Sequence, residues 1–490
     1  MKNPRIRGYS TVLGTFGWLL TVCFICLTFI PRSLDHVLFV DGLAYAAISR
    51  NMAMGLGSFW EPYFADSFWM NFNDRCAFFC EHPPLMFGLQ AQLFKVLGDT
   101  TLVENLYNLI ILLASVGVIA LIWRELFKNN LEIKQQAWLP ILMWYSLRVV
   151  WWSVPGNLLD TTMAVFCMLS FYFQLKAISE TKFKPLYWIL AGTMVLLAIL
   201  TKGPVGLFPL AFPVIYMVVF GKRFYGIGVK GLLTTLASFG LLLTLLLMYE
   251  PALFFLKNYF QGQVMLAIMQ KRERVAKDWT AHFYLLKILF VNIIPHLLFV
   301  AGFYFFRFYS KRSAPVSNHA MQVRMLVLLT ALSGILPMMV SVKQADYYLM
   351  PALPFVGFFF AAWCVEMLLT FAGNFTSRIK VVFTGLSVIL LAGMIFKLLH
   401  PDFDRTYEIA QALKKHVPER SKIYVTEDIN TESGLHSTYQ RYARLSVAFN
   451  PTETKYFFFN HQHKMLDSIA ATQHFEIIDL VHGAKLGVKK

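Results

Sequence analysis

The chain is dominated by long apolar runs. They fall at 11–31, 103–123, 137–154, 160–177, 186–201, 204–221, 231–250, 283–306, 323–342, 346–369 and 379–398. Roughly 20 apolar residues span a bilayer core as a helix, so the pattern predicts about 11 transmembrane helices. One further stretch, 83–98, opens on Pro83 and Pro84. The short basic clusters decide whether it crosses. Place Lys2, Arg5 and Arg7 inside and hold 83–98 at the surface. Then Arg124, Lys128 and Lys134, Lys176, Lys182 and Lys184, and Lys222, Arg223 and Lys230 all fall inside. So do Arg307, Lys311, Arg312 and Arg324, and then Arg378 and Lys380, as the positive-inside rule requires. If 83–98 crossed, the later clusters would land outside. It is therefore predicted as a helix lying on the outer interface, with the prolines in its first turn. A second surface-lying helix is predicted around 41–54, where Leu43, Ala46, Ala47 and Met54 make an apolar stripe.

The pattern changes beyond 399. "SKIYVTED", "ARLSVAFN" and "FEIIDLV" alternate or run apolar like strands, and 404–415 and 461–471 have helical spacing. The expected organisation is a transmembrane domain over 1–399 and a small α/β domain over 400–490. The first outer loop, 32–84, carries juxtamembrane helices that extend to 98. The basic start "MKNPRIRGYS" and the run after it are predicted as a retained anchor.

Composition agrees. Apolar residues make up 57% and charged residues 15%, against about 25% charged in soluble domains, and the mean hydropathy is +0.54. The net charge of +16 has no basic, aromatic-laced stripe on a soluble domain to serve nucleic acid, which is excluded. It fits inner-side anchors and an anionic lipid substrate. The six cysteines have no zinc spacing. Cys23 and Cys26 lie inside the first span as small core residues. Cys76 and Cys80 lie in the polar outer loop and could pair if it faces an oxidising compartment.

The same topology gathers ionisable residues on the outer side: Asp41, Tyr45, Arg50, Glu81, His82, Asp160, Lys202, Lys343, Asp346, Tyr347 and Tyr348. The stretch "QKRERVAKDW" adds Lys271, Arg272, Arg274, Lys277 and Asp278. Each has a plain alternative. Asp160 could cap a helix, Lys202 and Lys343 could be snorkelling anchors, and 271–277 could be a solvated face. Lys202 and Lys343, however, break the inner-side trend, and each sits at a helix end beside Gly or Pro. A charge at the membrane usually has a partner. Cations converging there suit a phosphate whose lipid tail stays in the bilayer. A carboxylate beside them could take an acceptor's proton, and a single displacement at an anomeric carbon would invert it.

Asp41 in "DGLAYAAISRNMAMG", then "EHPPL", "LLD" at 158–160, "LTKGPVGL" and "VKQADYYLMPALP" resemble the GT-C membrane glycosyltransferases. The nearest likeness is to the protein O-mannosyltransferase / lipid A aminoarabinose transferase superfamily, over about residues 10–370. The resemblance implies a polyprenyl-phosphate-linked sugar donor used on the periplasmic or lumenal face. It implies that Asp41 is the catalytic acid–base group, with Asp160 beside it. His82, Lys202, Lys343 and Tyr347, with Arg272 and Arg274, would hold the donor phosphate. Tyr45 and Glu81 would line the substrate cavity, and Glu81 with Asp278 would form an acidic pair able to take a divalent ion. Two positions depart from the family. Gly42 follows Asp41 where an acidic residue is frequent, and Ala44 stands where several members have Arg. The acceptor expected is a lipid, a glycan or a protein, and the small outer domain points to the bacterial branch in an inner membrane. The competing readings are a multispan transporter or flippase of lipid-linked sugars and a non-catalytic scaffold. A transporter would favour repeated halves and broken helices at the midplane; no repeat is visible in the chain.

Overall fold

The computed structural model describes residues 4–35, 38–66, 76–180, 182, 184–269, 279–310, 317–402, 404–425, 433–448, 450–459 and 475–489. Among them nine helices are long and apolar enough to cross a membrane. The chain is an integral membrane protein. Its helices are α1 (Pro4–Leu34), α2 (Val40–Ala53), α3 (Leu85–Leu97), α4 (Leu102–Leu126), α5 (Trp138–Tyr145), α6 (Arg148–Ser153), α7 (Leu159–Ser179) and α8 (Lys184–Lys202). There follow α9 (Phe212–Phe220), α10 (Tyr225–Leu247), α11 (Glu250–Tyr259), α12 (Tyr284–Ser310), α13 (Asn318–Ile335) and α14 (Leu353–Leu399).

Two of the apolar runs do not form full-length α-helices. The 137–154 run is broken between α5 and α6, where Leu147 is extended (φ −66°, ψ 128°). The 204–221 run starts as a 3-10 turn over Pro204–Ala211 and becomes α-helical only from Phe212. Pro204, Pro209 and Pro213 each remove a backbone donor there, which explains the tighter winding. The expected span at 346–369 begins later, at Leu353, because Asp346–Leu349 is a separate 3-10 turn. It then continues without a break through the last expected span. At 1.5 Å per residue the 47 residues of α14 extend about 70 Å, more than twice the apolar thickness of a bilayer. Its second half runs alongside α1, with Tyr9 against Gly373 and Leu27 against Gly393.

The two predicted surface helices exist, and the apolar stripe of α2 is covered by protein, whereas α3 keeps an exposed apolar edge. In α2 the ten residues Gly42–Asn51 are all buried. Ala44, Tyr45, Ala47 and Ile48 pack with Met86 and Phe87 of α3, while Leu43 joins the core of the C-terminal unit. The stripe read as lipid-facing is thus covered by protein on two sides. In α3, Pro84 is the N-cap and Gly98 (φ 75°) ends the helix. Met86, Phe87, Ala91 and Phe94 turn inward, and Leu89, Val96 and Leu97 are exposed.

The C-terminal unit contains α15 (Arg405–His416), α16 (Ser433–Thr438) and strands β1 (Lys422–Tyr424), β2 (Ser446–Ala448), β3 (Tyr456–Phe459), β4 (Phe475–Asp479) and β5 (Lys485–Lys489). The sheet order is β2-β1-β3-β5-β4. The first three strands are parallel, with Ile423 opposite Val447 and Tyr424 opposite Phe457. β5 runs antiparallel to β3 and to β4, setting Leu486 opposite Phe458 and Ile478. β3 and β5 were not anticipated: "YFFF" has no alternation, since Phe457, Phe458 and Phe459 are all buried. The helix expected over 461–471 lies outside the described residues.

Candidate active site

Four chain segments meet at one end of the bundle. Helix α7 starts there with Asp160, and α8 ends there with Lys202. The turn Asp346–Leu349 precedes α14, and α2 brings in Asp41 from the side. The opposite end of α7 carries Lys176, paired with Glu125 and Glu180. The chemistry-bearing groups and the basic anchor cluster are therefore at opposite ends of the same helix.

Asp160 does not cap its helix: the N-cap is Leu158, with no side-chain cap. Its carboxylate accepts a hydrogen bond from Lys202 Nζ through Oδ2, and both side chains are buried. The turn that aims Asp160 is fixed by Asn157 in the left-handed region (φ 57°), which Asn tolerates better than most residues. Asn157 Nδ2 donates to the Gly42 carbonyl at 2.9 Å, and Gln90 Nε2 donates to Asn157 Oδ1 at 2.8 Å. One side chain thus ties α2, α3 and the start of α7 together. Position 42 must be glycine in this arrangement, because a Cβ there would overlap the Gly156 carbonyl oxygen. That accounts for the missing acidic residue after Asp41.

Lys202 Nζ lies 4.9 Å from the ring centre of Tyr347 and 4.3 Å from that of Tyr348. Cation–π attraction of this kind holds an ammonium without neutralising it. Tyr347 Oη donates to Asp41 Oδ2 at 2.9 Å. Burial first, and then the nearby Asp41 charge, push the Tyr347 and Tyr45 phenols well above their usual range. Both stay protonated, so Tyr347 is fixed as a donor to Asp41. Tyr347 is itself packed by Phe39 and Trp152. Asp41, Tyr347, Lys202 and Asp160 therefore form one continuous chain of contacts.

Lys202 and Asp160 also line a cavity of about 770 Å³, together with Glu81, His82, Lys343 and Tyr348. Its remaining wall is mostly apolar, from 204–211, 264–268 and 332–340, with Tyr259, Gln263, Ser333 and Ser341 as its polar members. The ionisable side chains of Glu81, His82, Asp160, Lys202 and Lys343 thus share a largely oily pocket. Asp41, Tyr45 and Tyr347 do not line it. Tyr45 reaches it through His82, the two rings meeting edge to face at 5.8 Å. Arg272, Arg274 and Asp278 lie outside the described residues, and with Asp278 the expected acidic pair. Among the described residues, no three His, Cys, Asp or Glu side chains cluster as metal ligands do.

The loop that delivers Glu81 and His82 is pinned. Cys76 and Cys80 form a disulfide, and Phe78 stacks on Phe255 of α11 at 6.0 Å. Tyr259, at the end of α11, donates to the Lys202 carbonyl at 3.0 Å. The residue after Lys202 is Gly203 (φ 93°), where a Cβ would overlap the Tyr259 hydroxyl.

Helix α11 then passes into a π-helical turn, Phe260–Met265. Such turns are rare and gather at functional sites. Gln263 on this turn is buried and lines the cavity, and its Oε1 has no hydrogen-bond partner among the described residues. Gln263 and Tyr259 were not anticipated from the sequence. A single Gln in a helical stretch carries no signal, and the π turn has no sequence signature.

Residues 81–253 match the family described as dolichyl-phosphate-mannose-protein mannosyltransferase. A comparison with curated protein sequences finds no match. Among solved structures, the chain is similar to ArnT from Cupriavidus metallidurans bound to undecaprenyl phosphate. The TM-score is 0.64 at 16% identity, covering 97% of this chain and 98% of that one. The chain has the GT-C fold. The archaeal oligosaccharyltransferase AglB from Archaeoglobus fulgidus, in complex with an inhibitory peptide and a dolichol-phosphate, is a more distant GT-C likeness. Its TM-score is 0.51 at 11% identity, with 96% of this chain and 74% of that one covered. Within this GT-C chain the ionisable residues of the cavity gather at one end of the bundle.

Proposed function

We propose that the chain is an inverting glycosyltransferase that moves a sugar from a polyprenyl-phosphate donor to a cell-envelope lipid, glycan or protein. The observation that carries this reading is the cavity itself: a largely apolar pocket of about 770 Å³ whose lining includes Lys202, Lys343, His82 and Asp160. The isoprenoid tail takes the oily wall. The phosphate takes the cations, which are strong partners for it in a low-dielectric setting. Undecaprenyl phosphate bound to ArnT and dolichol-phosphate bound to AglB are lipids of this chemistry.

Asp41 is held by the Tyr347 hydroxyl, and the Tyr347 ring in turn faces Lys202, which lines the cavity. As general base it takes the acceptor O–H proton on Oδ1, while Oδ2 stays with the Tyr347 hydroxyl. The acceptor oxygen attacks the anomeric carbon, and the bond from that carbon to the phosphate oxygen breaks. The leaving polyprenyl phosphate keeps the electron pair, held by Lys202, Lys343 and His82. One displacement inverts the anomeric centre. Lys202 has three N–H donors, so it can keep Asp160 and still meet the phosphate. The Cys76–Cys80 disulfide fits an oxidising compartment and supports a periplasmic site on a bacterial inner membrane as part of this reading.

The test is transfer from a panel of radiolabelled undecaprenyl-phosphate sugars in membranes. Wild type is expected to use at least one, and Asp41→Asn to lose about 10²–10⁴-fold while still inserting and folding. Equal transfer by both would remove Asp41 as the base. No transfer from any member, with no binding of undecaprenyl phosphate, would defeat the whole reading.

A further inference from the structure

Helix α2 is held at both ends, by different parts of the molecule. Its first turn carries Asp41, bound by Tyr347. Its last turn carries Arg50, which is 1% exposed although it is charged. Burial pulls the Arg50 guanidinium down to about 10, still a cation at neutral pH. All five of its N–H donors are used. Nη1 donates to the carbonyls of Gln440 and Arg441 at 2.8 and 2.9 Å, and Nη2 to Gln440 Oε1 at 3.0 Å. Nη2 and Nε also donate to Asn51 Oδ1, at 2.7 and 3.2 Å. Gln440 and Arg441 belong to a π-helical turn, Tyr439–Ala443, of the C-terminal unit. The carbonyls Arg50 collects are among those a helix end leaves without intrahelical partners.

The attachment is reciprocal. Arg441 reaches back to the membrane region, meeting Glu104, Asp99 at 2.7 Å and the Thr100 carbonyl at 3.0 Å. Arg444 adds two hydrogen bonds to Asp99 at 3.0 and 2.8 Å. Burial alone would raise the Asp99 carboxyl, but Arg441, Arg50 and Arg444 hold it below its usual range. Between the two ends, Leu43 is buried in the core of the C-terminal unit with Leu413, Ile423 and Val447. Arg50 and Asp41 are nine residues apart on one helix, about 13 Å at 1.5 Å per residue.

We propose that the C-terminal unit acts as the seat of α2, and that Arg50 is a positioning residue that sets where Asp41 stands relative to the donor phosphate. This rests on the glycosyltransferase reading above. The donor-binding groups Lys202, Lys343 and His82 lie on other elements. The contacts that link α2 to them, Tyr45 with His82 and Asp41 with Tyr347, lie toward the Asp41 end of the helix. Loss of the seat therefore falls on turnover before donor binding.

The experiment compares wild type, Arg50→Ala, Asp41→Asn and the double variant of the full-length chain in detergent. Three quantities are measured: transfer from whichever undecaprenyl-phosphate sugar wild type uses, binding of bare undecaprenyl phosphate by native mass spectrometry, and hydrogen exchange along 40–53. Misplacing a reacting group by about 1 Å costs on the order of 10²-fold, so Arg50→Ala should lose about 10–10²-fold in kcat. Binding of the bare lipid should be unchanged. In the double variant the loss should equal that of Asp41→Asn alone, because Arg50 acts through Asp41. Exchange at 40–46, the end remote from the substitution, should quicken. Additive losses, weakened lipid binding, or unchanged exchange at 40–46 would each overturn the proposal. If Arg50→Ala does not fold, Arg50→Lys serves in the same three measurements, since Lys keeps the charge but lacks the fork. If wild type neither binds undecaprenyl phosphate nor transfers from it, the function reading falls, while the exchange result still decides whether Arg50 seats α2.

Discussion

Helix α7 has a lysine–carboxylate pair at each end, and the two are built on opposite principles. At one end Lys202 meets Asp160 with side chains 8% and 2% exposed. At the other, Lys176 meets Glu125 and Glu180, and Glu180 is 41% exposed. Lys128 also pairs with Glu125 at 3.3 Å, and the Ser179 hydroxyl donates to Glu125 Oε1 at 2.6 Å. The outer members of that cluster can fall back on water if a partner is lost. The Asp160 carboxylate cannot, and its Oδ1 is already without a partner among the described residues. A buried ion pair is seldom more stable than an apolar pair of the same volume. Its presence beside an oily cavity is better explained by what it can do for an anionic ligand than by what it does for the fold.

That contrast can be broken in graded steps. Lys202→Met should have the largest effect. It removes the proposed phosphate partner, with an expected cost to transfer of about 10²–10³-fold, and strands Asp160, costing roughly 3–5 kcal/mol of stability. Parallel transfer assays and thermal melts read both losses. The neutral double variant Asp160→Asn, Lys202→Met should regain most of the stability in the melt and none of the transfer. If transfer returned as well, the pair would be structural only. Gln263→Ala should be milder. It deletes a buried amide that lines the cavity, and a lost hydrogen bond to a substrate group of about 1–1.5 kcal/mol corresponds to roughly 10-fold in kcat/KM. Binding of bare undecaprenyl phosphate should not change. Lys176→Met should be smallest, below about 1 kcal/mol in the melt, with transfer unaltered. A large loss of transfer there would erase the distinction between the two ends.

The sequence carried the membrane architecture because span length is set by the bilayer and is legible without tertiary contacts. Asp41, Asp160, Lys202 and Lys343 also stood out in it as charges at apolar helix ends, and the structure joins Asp160 to Lys202 and Asp41 to Tyr347. The sequence did not carry their pairing. Whether Asp160 caps its own helix or reaches Lys202 depends on the turn at Asn157, which Gln90 and Gly42 hold from elsewhere in the chain. Helix α2 was misplaced for a similar reason. Its Leu43 and Ala47 look like a lipid-facing stripe until the C-terminal unit covers one side and α3 the other. Gln263 was out of reach because its position follows from a change in helical winding.

The close approach of Gly42 to the Gly156 carbonyl has a practical meaning for anyone redesigning this chain. Installing the acidic residue that commonly follows the catalytic Asp in similar chains would not simply add a carboxylate to the pocket. It would push α2 off the turn that aims Asp160, moving two reactive groups at once. A change of acceptor preference therefore has to be engineered as an exchange of both segments, 41–44 and 154–158, in a single step.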